Sequence, residues 1–470
     1  MRTDDKLHEE CAVFAVSTRS DEAAGITYNG LLSMQHRGQE GSGIAVLSDH
    51  TLHCYKDVGL VSEVFSSGIL AQLPPSRLAV GHNRYSTTGN NTAANVQPFI
   101  TEFLTGRIAT VHNGNITNAR QIKAFLTARG LDFHATSDSE VISSLIAYHC
   151  TKSDNPLNGV IDAAKELVGA FSLVVLSSEK KLIAVRDPSG FRPLCIGRCS
   201  NGIAVASESC ALDSAGFTFV RDVRPGEVVV VEDGEITFEK VVLSPVVPDS
   251  GLCIFEYVYF ARPDSIIDGL SVYQARCNMG RALAREYPVE ADAVCGVPDS
   301  GLEAAAGYAA ESGIPLVPGF VKNRYIGRSF IYPTQSARES AVRLKLNPLK
   351  INVENKRIVL VDDSIVRGTT SRRIISALKS AGAREVHMRV SSPPFRFTCH
   401  YGTDIDSEEN LAANRMSLEE LRRQLGADSL GYISLKGLKT ACAQSGMPFC
   451  TKCFSGHDSS ACLLHKDDLE

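Results

Sequence analysis

The stretch KRIVLVDDSIVRGTTSRRIISALKSAG, residues 356–382, decides the fold of the second half of this chain. Its apolar, β-branched start meets Asp362 and Asp363, a loop of small, hydroxyl and glycine residues follows, and apolar residues then recur at helical spacing. Gly382 suits the left-handed residue that ends a helix, and residues 386–390 alternate as a further strand. This order predicts a β-α-β unit of a parallel sheet.

The end of the first strand in this unit is where a parallel sheet binds ligands. Asp362 and Asp363 can accept hydrogen bonds from ribose hydroxyls or help to hold Mg²⁺, while amides and hydroxyls at the next helix start can cradle a phosphate. A sugar phosphate satisfies both halves of the motif. The chain has neither G-x-x-x-x-G-K-[ST] nor G-x-G-x-x-G, which argues against an ATP-hydrolysing loop and a dinucleotide site.

Three motifs of the second half carry a family resemblance. VLVDDSIVRGTTS (359–371) resembles the loop of type I phosphoribosyltransferases that binds 5-phosphoribosyl-1-diphosphate (PRPP). VCGVPDSG (294–301) and VKNRYIGRSFIYPTQ (321–335) resemble the pyrophosphate-side and flexible loops of the amidophosphoribosyltransferases. The resemblance implies a Mg²⁺ site at Ser300, Asp362 and Asp363. It also implies that PRPP is bound by Lys322, Arg324, Gln335, Ser364, Arg367, Gly368, Thr369 and Thr370.

Composition agrees with a soluble, cytoplasmic enzyme. The 470 residues include 48 Lys and Arg against 53 Asp and Glu, so a net charge of −5 provides no basic face for nucleic acid. The opening MRTDDKLHEE is too polar for a signal peptide, and no apolar run is long enough to span a membrane. In a reducing compartment, the 14 cysteines are expected to bind metal, to catalyse or to be buried rather than to form disulfides.

The N-terminal half predicts an α+β domain of stacked sheets with helices. Strands are predicted at 12–16, 43–47, 78–81, 108–112, 171–176 and 203–207, helices at 139–150 and 158–167, and a hairpin at 227–242. The proline-containing LSPVVPDSG, residues 243–251, is the predicted boundary before a second, α/β domain with a parallel sheet. We therefore expect domains at 11–245 and 250–456, the second ending in a helical region, and a tail at 457–470.

Five motifs of the first half resemble the class II glutaminase domains, the N-terminal nucleophile family. HEECAVFAV, QHRGQEGSGIA, GHNRYSTTG, HNGNITN and SDSE follow the order and rough spacing of those domains. In such enzymes the nucleophile's own α-amino group, with a pKa of roughly 7.7 to 8.0, is the general base. The resemblance therefore implies that Cys11 is the nucleophile and that residues 1–10 are a propeptide cleaved between Glu10 and Cys11.

The same resemblance assigns the other glutaminase roles. Asn113 and the amide of Gly114 would form the oxyanion hole. Each such donor contributes roughly 10²- to 10³-fold to the reaction rate. Arg84 would pair with the glutamine carboxylate, Asp138 would hold its α-ammonium, and Arg37 would close over the site.

One chain with both sites implies a defined reaction. Ammonia released from glutamine would displace pyrophosphate from PRPP, giving 5-phosphoribosylamine and glutamate, the first committed step of purine synthesis. Family members are homo-oligomers, commonly tetramers, and are inhibited by purine nucleotides. The alternative is a non-catalytic PRPP sensor of the kind found in DNA-binding regulators, which needs neither Cys11 nor Asn113 and favours a basic surface.

Four cysteines form the last predicted site. Only CTKC, residues 450–453, has a local metal-binding spacing, and thiolates suit zinc as well as iron-sulfur clusters. The propeptide-bearing amidophosphoribosyltransferases place a [4Fe-4S] cluster on cysteines matching Cys253, Cys399, Cys450 and Cys453, so the resemblance favours iron. The final HDSSACLLHKDDLE departs from the family's usual sequence, which leaves Cys462 without an assigned role.

Overall fold

The computed structural model describes residues 11–85, 92–243, 251–323, 346–405 and 407–456. Two antiparallel sheets stacked on each other come first along the chain, and a parallel sheet follows. The predicted fold class is therefore confirmed.

The first antiparallel sheet has seven strands within the described ranges. In spatial order they are β11 (Thr218–Asp222), β9 (Cys195–Cys199), β10 (Gly202–Ala206), β1 (Ala12–Thr18), β4 (Leu78–Arg84), β2 (Gly41–Ser48) and β3 (Thr51–Val58). Between β1 and β4 the chain forms three helices: α1 (Ala23–Ser33), α2 (Val61–Val64) and α3 (Ser67–Leu70). Every residue of β1 is buried, because both faces of this sheet are covered.

The second antiparallel sheet has six strands in the part of the chain described. In spatial order they are β13 (Glu235–Val241), β12 (Glu227–Glu232), β8 (Leu182–Arg186), β7 (Gly169–Ser177), β6 (Gly106–Ile116) and β5 (Phe99–Phe103). Helices α4 (Ala119–Thr127), α5 (Asp138–Ser153) and α6 (Pro156–Glu166) cover its outer face, while α7 (Ser209–Ser214) packs with α1 on the first sheet. The inner faces of the two sheets share one apolar core, so this domain has four layers.

The parallel sheet consists of β17 (Ala293–Gly296), β20 (Arg357–Asp362), β21 (Glu385–Val390) and β22 (Ser429–Tyr432). Helices α8 (Val272–Glu286) and α9 (Leu302–Ser312) cover one face, and α11 (Thr369–Ser380) and α13 (Leu418–Leu425) cover the other. Smaller helices are α10 (Lys350–Val353), α12 (Ala412–Arg415), α14 (Leu435–Ala441) and α15 (Lys452–Ser455). None of the helices formed by the described residues has the length and apolar character needed to cross a membrane.

Short strands join distant parts of the second domain. β14 (Leu252–Cys253) pairs in parallel with β23 (Phe449–Cys450), so the last described segment returns to the start of the domain. The remaining pairs are β15 (Ile266–Ile267) with β16 (Leu270–Ser271), and β18 (Phe320–Lys322) with β19 (Leu346–Pro348).

A short π-helix, Glu256–Phe260, follows β14 and lies between the two domains. We call it the linking helix. Its aromatic residues are packed against the core of the second domain, and the Tyr257 hydroxyl donates to the carbonyl of Ile267 at 2.6 Å. A π-helix is rare in proteins and is frequently found at functional sites.

Candidate active site

The predicted nucleophile, Cys11, immediately precedes the central strand β1 and is 9% exposed. Its Sγ lies 3.4 Å from both the carbonyl oxygen and the amide nitrogen of Tyr85, at the end of β4. Because β1 and β4 pair in register from Ala12 opposite Asn83, the sheet fixes the position of the thiol from two sides.

Asn113 lies within β6, and its side chain has an unusual environment. It is fully buried, yet neither its Nδ2 nor its Oδ1 has a hydrogen-bond partner among the described residues. A buried amide without partners is costly, and a catalytic role is one of the reasons for which native proteins keep such a group. The next residue, Gly114, has φ +141°, and a Cβ there would strike the carbonyl of Ala170. Glycine is therefore required for the backbone to take this path.

Two buried histidines brace the strand that carries Asn113. His82 Nε2 donates to the carbonyl of His112 at 3.1 Å, and Gln97 Nε2 donates to the same oxygen at 3.1 Å. Burial lowers the pKa of His82, with Arg84 adding to the shift, and burial also lowers the pKa of His112, so both rings are neutral at neutral pH. Since His82 is in the first sheet and His112 in the second, their contact joins the sheets beside the site.

Asp138 and Arg84 are both buried near these strands. Asp138 is the first residue of α5, and its Oδ2 accepts a hydrogen bond from the amide of Ile116 at 3.1 Å. Its Oδ1 lies 3.5 Å from the Ser137 hydroxyl and 3.3 Å from that of Ser139. Arg84 ends β4, directly before Tyr85. Their proposed roles toward glutamine stay predictions.

Arg37, predicted to close over the glutamine site, is held by buried partners in this structure, and its role toward glutamine stays a prediction. Its side chain is fully buried, and its guanidinium donates to Glu208 at 2.7 Å and to both oxygens of Glu256 at 2.9 Å. Its Nε donates to the carbonyl of Cys11 at 3.1 Å. Burial alone lowers the pKa of Arg37, but Glu256 and Glu208 raise it above its usual value, so the guanidinium stays charged. The local motif could not reveal carboxylates that lie 171 and 219 residues away.

The second predicted site is assembled at the carboxyl ends of β17 and β20. Asp362 and Asp363 are buried, and the Asp363 amide donates to Asp362 Oδ1 at 3.0 Å. The hydroxyls of Ser300 and Ser364 donate to the two oxygens of Asp363, each at 2.5 Å. Lys322 forms an ion pair with Asp299 of the same loop as Ser300. Two separate motifs of the sequence are thus brought together as one polar site.

Helix α11 begins directly after the glycine of this loop. Gly368 precedes it with φ +86°, and Thr369 is its first residue. Arg367 and Thr370 lie in the same loop and helix start, where amide groups can hold a phosphate. Arg324 and Gln335, also predicted to bind PRPP, lie outside the described residues.

The four predicted cluster cysteines come from three segments that pack together, where Cys450 is buried and Cys253, Cys399 and Cys453 are half-buried. Cys253 and Cys450 are paired in register between β14 and β23. Burial raises the pKa of Cys453 well above its usual value, and the thiols of Cys253, Cys399 and Cys450 raise it further. Burial likewise raises the pKa of Cys450 to about 11, with Cys399 contributing. Within the described ranges, no group of three or more His, Cys, Asp or Glu is arranged to hold a metal ion.

Known proteins match both halves of the chain. The family profile of the glutamine amidotransferase domain matches residues 82–214, and that of the phosphoribosyl transferase domain matches residues 278–392. The amidophosphoribosyltransferase of Archaeoglobus fulgidus is 47% identical over 448 residues, covering 95% of this chain and 97% of the relative. That of Synechocystis is 46% identical, covering 96% of this chain and 91% of the relative. The chain belongs to the amidophosphoribosyltransferase family.

Solved structures agree with this membership of the amidophosphoribosyltransferase family. The glutamine PRPP amidotransferase of B. subtilis complexed with ADP and GMP has a TM-score of 0.88 and 41% identity, covering 98% of this chain and all of the other. A structure described as the allosteric regulatory enzyme of purine biosynthesis has a TM-score of 0.87 and 43% identity, covering 95% and 96%. As an amidophosphoribosyltransferase, the chain is a pentosyltransferase with a glutamine-using domain.

Proposed function

We propose that the two sites of this chain act in sequence on glutamine and PRPP. The family's reaction, glutamine-dependent amination of PRPP in purine biosynthesis, is the reaction of this enzyme. The observation that carries the proposal is the presence in one chain of two features. One is the buried side-chain amide of Asn113, which has no partner among the described residues. The other is the contact between Ser300 and Asp363, which brings together the loops that follow β17 and β20.

The glutaminase half begins with the thiol of Cys11. Once residues 1–10 are removed, its α-amino group can accept the thiol proton, because an α-amine titrates at about pH 8. The sulfur attacks the glutamine amide carbon, and Asn113 Nδ2 and the Gly114 amide stabilise the oxyanion. The α-ammonium group then returns the proton to the amide nitrogen, so that ammonia leaves as the thioester forms. Water then releases glutamate. Arg84 pairs with the substrate carboxylate and Asp138 with its ammonium.

The transferase half forms a carbon–nitrogen bond at the anomeric carbon of PRPP. Ammonia supplies the electron pair, and the bond to pyrophosphate breaks with its electrons leaving on pyrophosphate. Asp362 and Asp363 accept hydrogen bonds from ribose, and with Ser300 they form the oxygen-donor set that Mg²⁺ prefers. When bound, Mg²⁺ neutralises charge on the departing pyrophosphate.

Two further groups of residues hold PRPP. The 5-phosphate is bound by residues of the loop and helix start after β20: Ser364, Arg367, Gly368, Thr369 and Thr370. Lys322, Arg324 and Gln335 are also proposed to bind PRPP, where they would exclude water that would otherwise hydrolyse it.

We propose further that this enzyme is of the propeptide-bearing type. The position of Cys11 directly before the central strand supports this, because ten residues would otherwise occupy its α-amino group. Intact-mass analysis of active enzyme should give a chain that begins at Cys11. Active enzyme that retains residues 1–10 would show that another group serves as the base.

Cys253, Cys399, Cys450 and Cys453 are proposed as ligands of a [4Fe-4S] cluster. The thiol donor set and the pairing of Cys253 with Cys450 in register support the proposal. A cluster here would tie the C-terminal segment to the start of the second domain. Anaerobically purified protein should be brown and contain about four iron and four sulfide per chain. Colourless, active protein with stoichiometric zinc would overturn this assignment alone.

Assembly, regulation and location are proposed on the strength of family membership. We expect a cytoplasmic homo-oligomer, with the tetramer that is common in the family as its form. We also expect inhibition by purine nucleotides, which the B. subtilis structure complexed with ADP and GMP supports. Light scattering and inhibition by ADP and GMP would test these expectations.

Separation of the two half-reactions tests the proposed function. Cys11→Ala should abolish synthesis of phosphoribosylamine from glutamine but keep synthesis from ammonium salts, whereas Asp362→Ala should impair both. Loss of the ammonia-dependent reaction in folded Cys11→Ala would contradict two separate sites. Wild-type enzyme that releases no glutamate from glutamine, with or without PRPP, would support the sensor alternative instead.

A further inference from the structure

The side chain of Gln97 extends the hydrogen-bond ladder of the second sheet by one position. Strands β5 and β6 pair from Phe99 opposite Thr110, and the same register would place residue 97 opposite His112. The amide of His112 donates to Gln97 Oε1 at 2.6 Å, and Gln97 Nε2 donates to the carbonyl of His112 at 3.1 Å. The side-chain amide thus makes the two bonds that a strand residue would make through its backbone.

These two bonds form one of two fixed points on either side of the proposed oxyanion hole. The amide of His112 donates to Gln97, and the amide of Ile116, further along β6, donates to Asp138 at 3.1 Å. Gly114, whose amide is a proposed oxyanion donor, lies midway between them in the strand. A shift of the strand at the first point would therefore move this donor relative to the glutamine amide.

Gln97 is buried, and its own position is fixed by two further contacts. Its Nε2 also donates to the Ser139 hydroxyl at 3.0 Å, at the start of α5. A Cβ on Gly43 of β2 would strike the carbonyl of Gln97, so the backbone at this position packs closely on the first sheet. Because a backbone N–H can only donate, the atom that faces the His112 amide must be the oxygen, which settles the orientation of the side-chain amide.

We infer that Gln97 is a positioning residue for the oxyanion hole of the glutaminase site. The inference rests on the proposed function and adds the residue that keeps Asn113 and Gly114 aligned. Gln97 contacts neither glutamine nor Cys11 in this scheme, because it acts through the backbone of His112. An oxyanion donor stabilises the transition state, so a misaligned hole should lower kcat and leave the KM for glutamine nearly unchanged.

The first test variant is Gln97→Met. Methionine has a similar length, but its thioether has no N–H and is only a weak acceptor, so both bonds to His112 are lost. The kcat with glutamine should fall about 10- to 100-fold, while the KM for glutamine and the ammonia-dependent rate stay within about twofold of wild type. A wild-type kcat, or a loss that lies mainly in KM, would overturn the inference.

The second variant, Gln97→Glu, can restore both bonds, but only in one protonation state. A neutral carboxyl accepts from the His112 amide and donates to its carbonyl, whereas a carboxylate can only accept. The ratio of its kcat to the wild-type kcat should therefore fall between about pH 6 and about pH 9, since a buried carboxyl titrates above its usual range. The wild-type enzyme has the same titratable neighbours, so the ratio isolates the introduced carboxyl. These neighbours are Lys56, His82, His112 and Asp138.

The pH dependence also decides the case in which Gln97→Met does not fold. A ratio that falls as pH rises supports the inference, because loss of the donor to the His112 carbonyl then lowers the rate. A ratio that stays constant over the same range would overturn it.

Ser143→Ala is the matched control. Ser143 is fully buried on α5, and its hydroxyl lies 2.7 Å from that of Thr101 on β5 and donates to that of Thr110 on β6 at 3.1 Å. The variant removes buried hydrogen bonds beside the same strand but away from the oxyanion hole, so it should keep the wild-type kcat even if its melting temperature falls. A loss of kcat equal to that of Gln97→Met would overturn the inference. Glutamate release by the wild-type enzyme is measured alongside, so a failure of the proposed function is seen separately.

Discussion

At the scale of single residues, the site depends on partners that the local sequence does not show. The HNGN motif predicted the role of Asn113 through resemblance, and the structure adds that its buried amide has no partner among the described residues. By contrast, Glu256 occurs in the sequence only as one charge in an aromatic run. Its partner Arg37 lies 219 residues away, so no local pattern could join them. A charged residue within such an apolar segment is the one signal that could have drawn attention to it.

The first prediction concerns Asn113→Ala. Removing one oxyanion donor should lower the glutamine-dependent rate about 10²- to 10³-fold. The free energy of unfolding should not fall, because the amide has no hydrogen bond to the described residues that would be lost. Rates with glutamine and with ammonium salts, together with a melting curve, provide the measurement. An equal loss with both nitrogen sources would contradict the assigned role.

A second prediction concerns Gly368→Ala in the PRPP loop. Gly368 has φ +86°, where alanine is strained by about 1 kcal/mol, and the loop should shift to relieve that strain. We expect the KM for PRPP to rise several-fold. Gly382→Ala is the control, because Gly382 has φ +96° but lies after the other end of α11. Both variants should lose similar stability, and only the first should bind PRPP more weakly. Equal KM values would contradict the prediction.

At the scale of elements, the spacing of apolar residues along the sequence predicted many of the helices and strands. The helix of the opening stretch is observed as Thr369–Ser380, and its predicted apolar face is buried. The strand predicted at 108–112 instead runs from Gly106 to Ile116, because β7 pairs with nearly all of it. That pairing partner is distant in sequence, so the extension through Asn113 could not be read locally. The strand predicted at 203–207 ends one residue earlier, where the Ser207 hydroxyl accepts the Val13 amide.

Helices α8 and α9 provide a third prediction. A Cβ on Gly280 would strike the carbonyl of Ala304, and one on Gly307 would strike the carbonyl of Cys277. Gly280→Ala must push the helices apart, which should cost about 1–3 kcal/mol. Gly25→Ala is the matched control in α1, because nothing lies within 4 Å of its added Cβ. It should gain about 0.5–1 kcal/mol from helix propensity. Denaturant unfolding that gave the same sign for both variants would contradict the close packing of α8 on α9 as the cause.

At the scale of the whole molecule, the domains are joined by charged groups that composition does not reveal. Arg186 of β8 pairs with Asp268, and Asp222 is close enough to Arg186 and Asp268 for both to affect its pKa. Burial raises the pKa of Asp222 to about 7, with Asp268 adding to the shift, and burial raises that of Asp187 to about 6. The carboxyl groups gather beside one arginine because the fold brings three separate segments to the same interface.

These raised pKa values give a fourth prediction. A carboxyl with a higher pKa in the folded state binds its proton more readily when folded, so its stability contribution is lost as pH rises from about 4 to about 7. Asparagine has no charge at any of these pH values, so Asp222→Asn avoids the cost of a buried carboxylate. The variant should raise the free energy of unfolding by about 1–3 kcal/mol at pH 8, and by less at about pH 5.5, where the wild-type carboxyl is largely protonated. Melting temperatures at both pH values measure it. An exposed control, Asp162→Asn, should show no such difference.

The parallel pairing of β14 with β23 also sets the order in which the protein can be completed during synthesis. Cys253 leaves the ribosome about 200 residues before Cys450, its partner in register. At typical elongation rates this interval lasts roughly 10 to 40 seconds. The first domain has its whole sequence by then and can fold, whereas the second waits for its final strand. Throughout that time Cys253 lacks its partner in register, so the start of the second domain stays unpaired until synthesis is nearly complete.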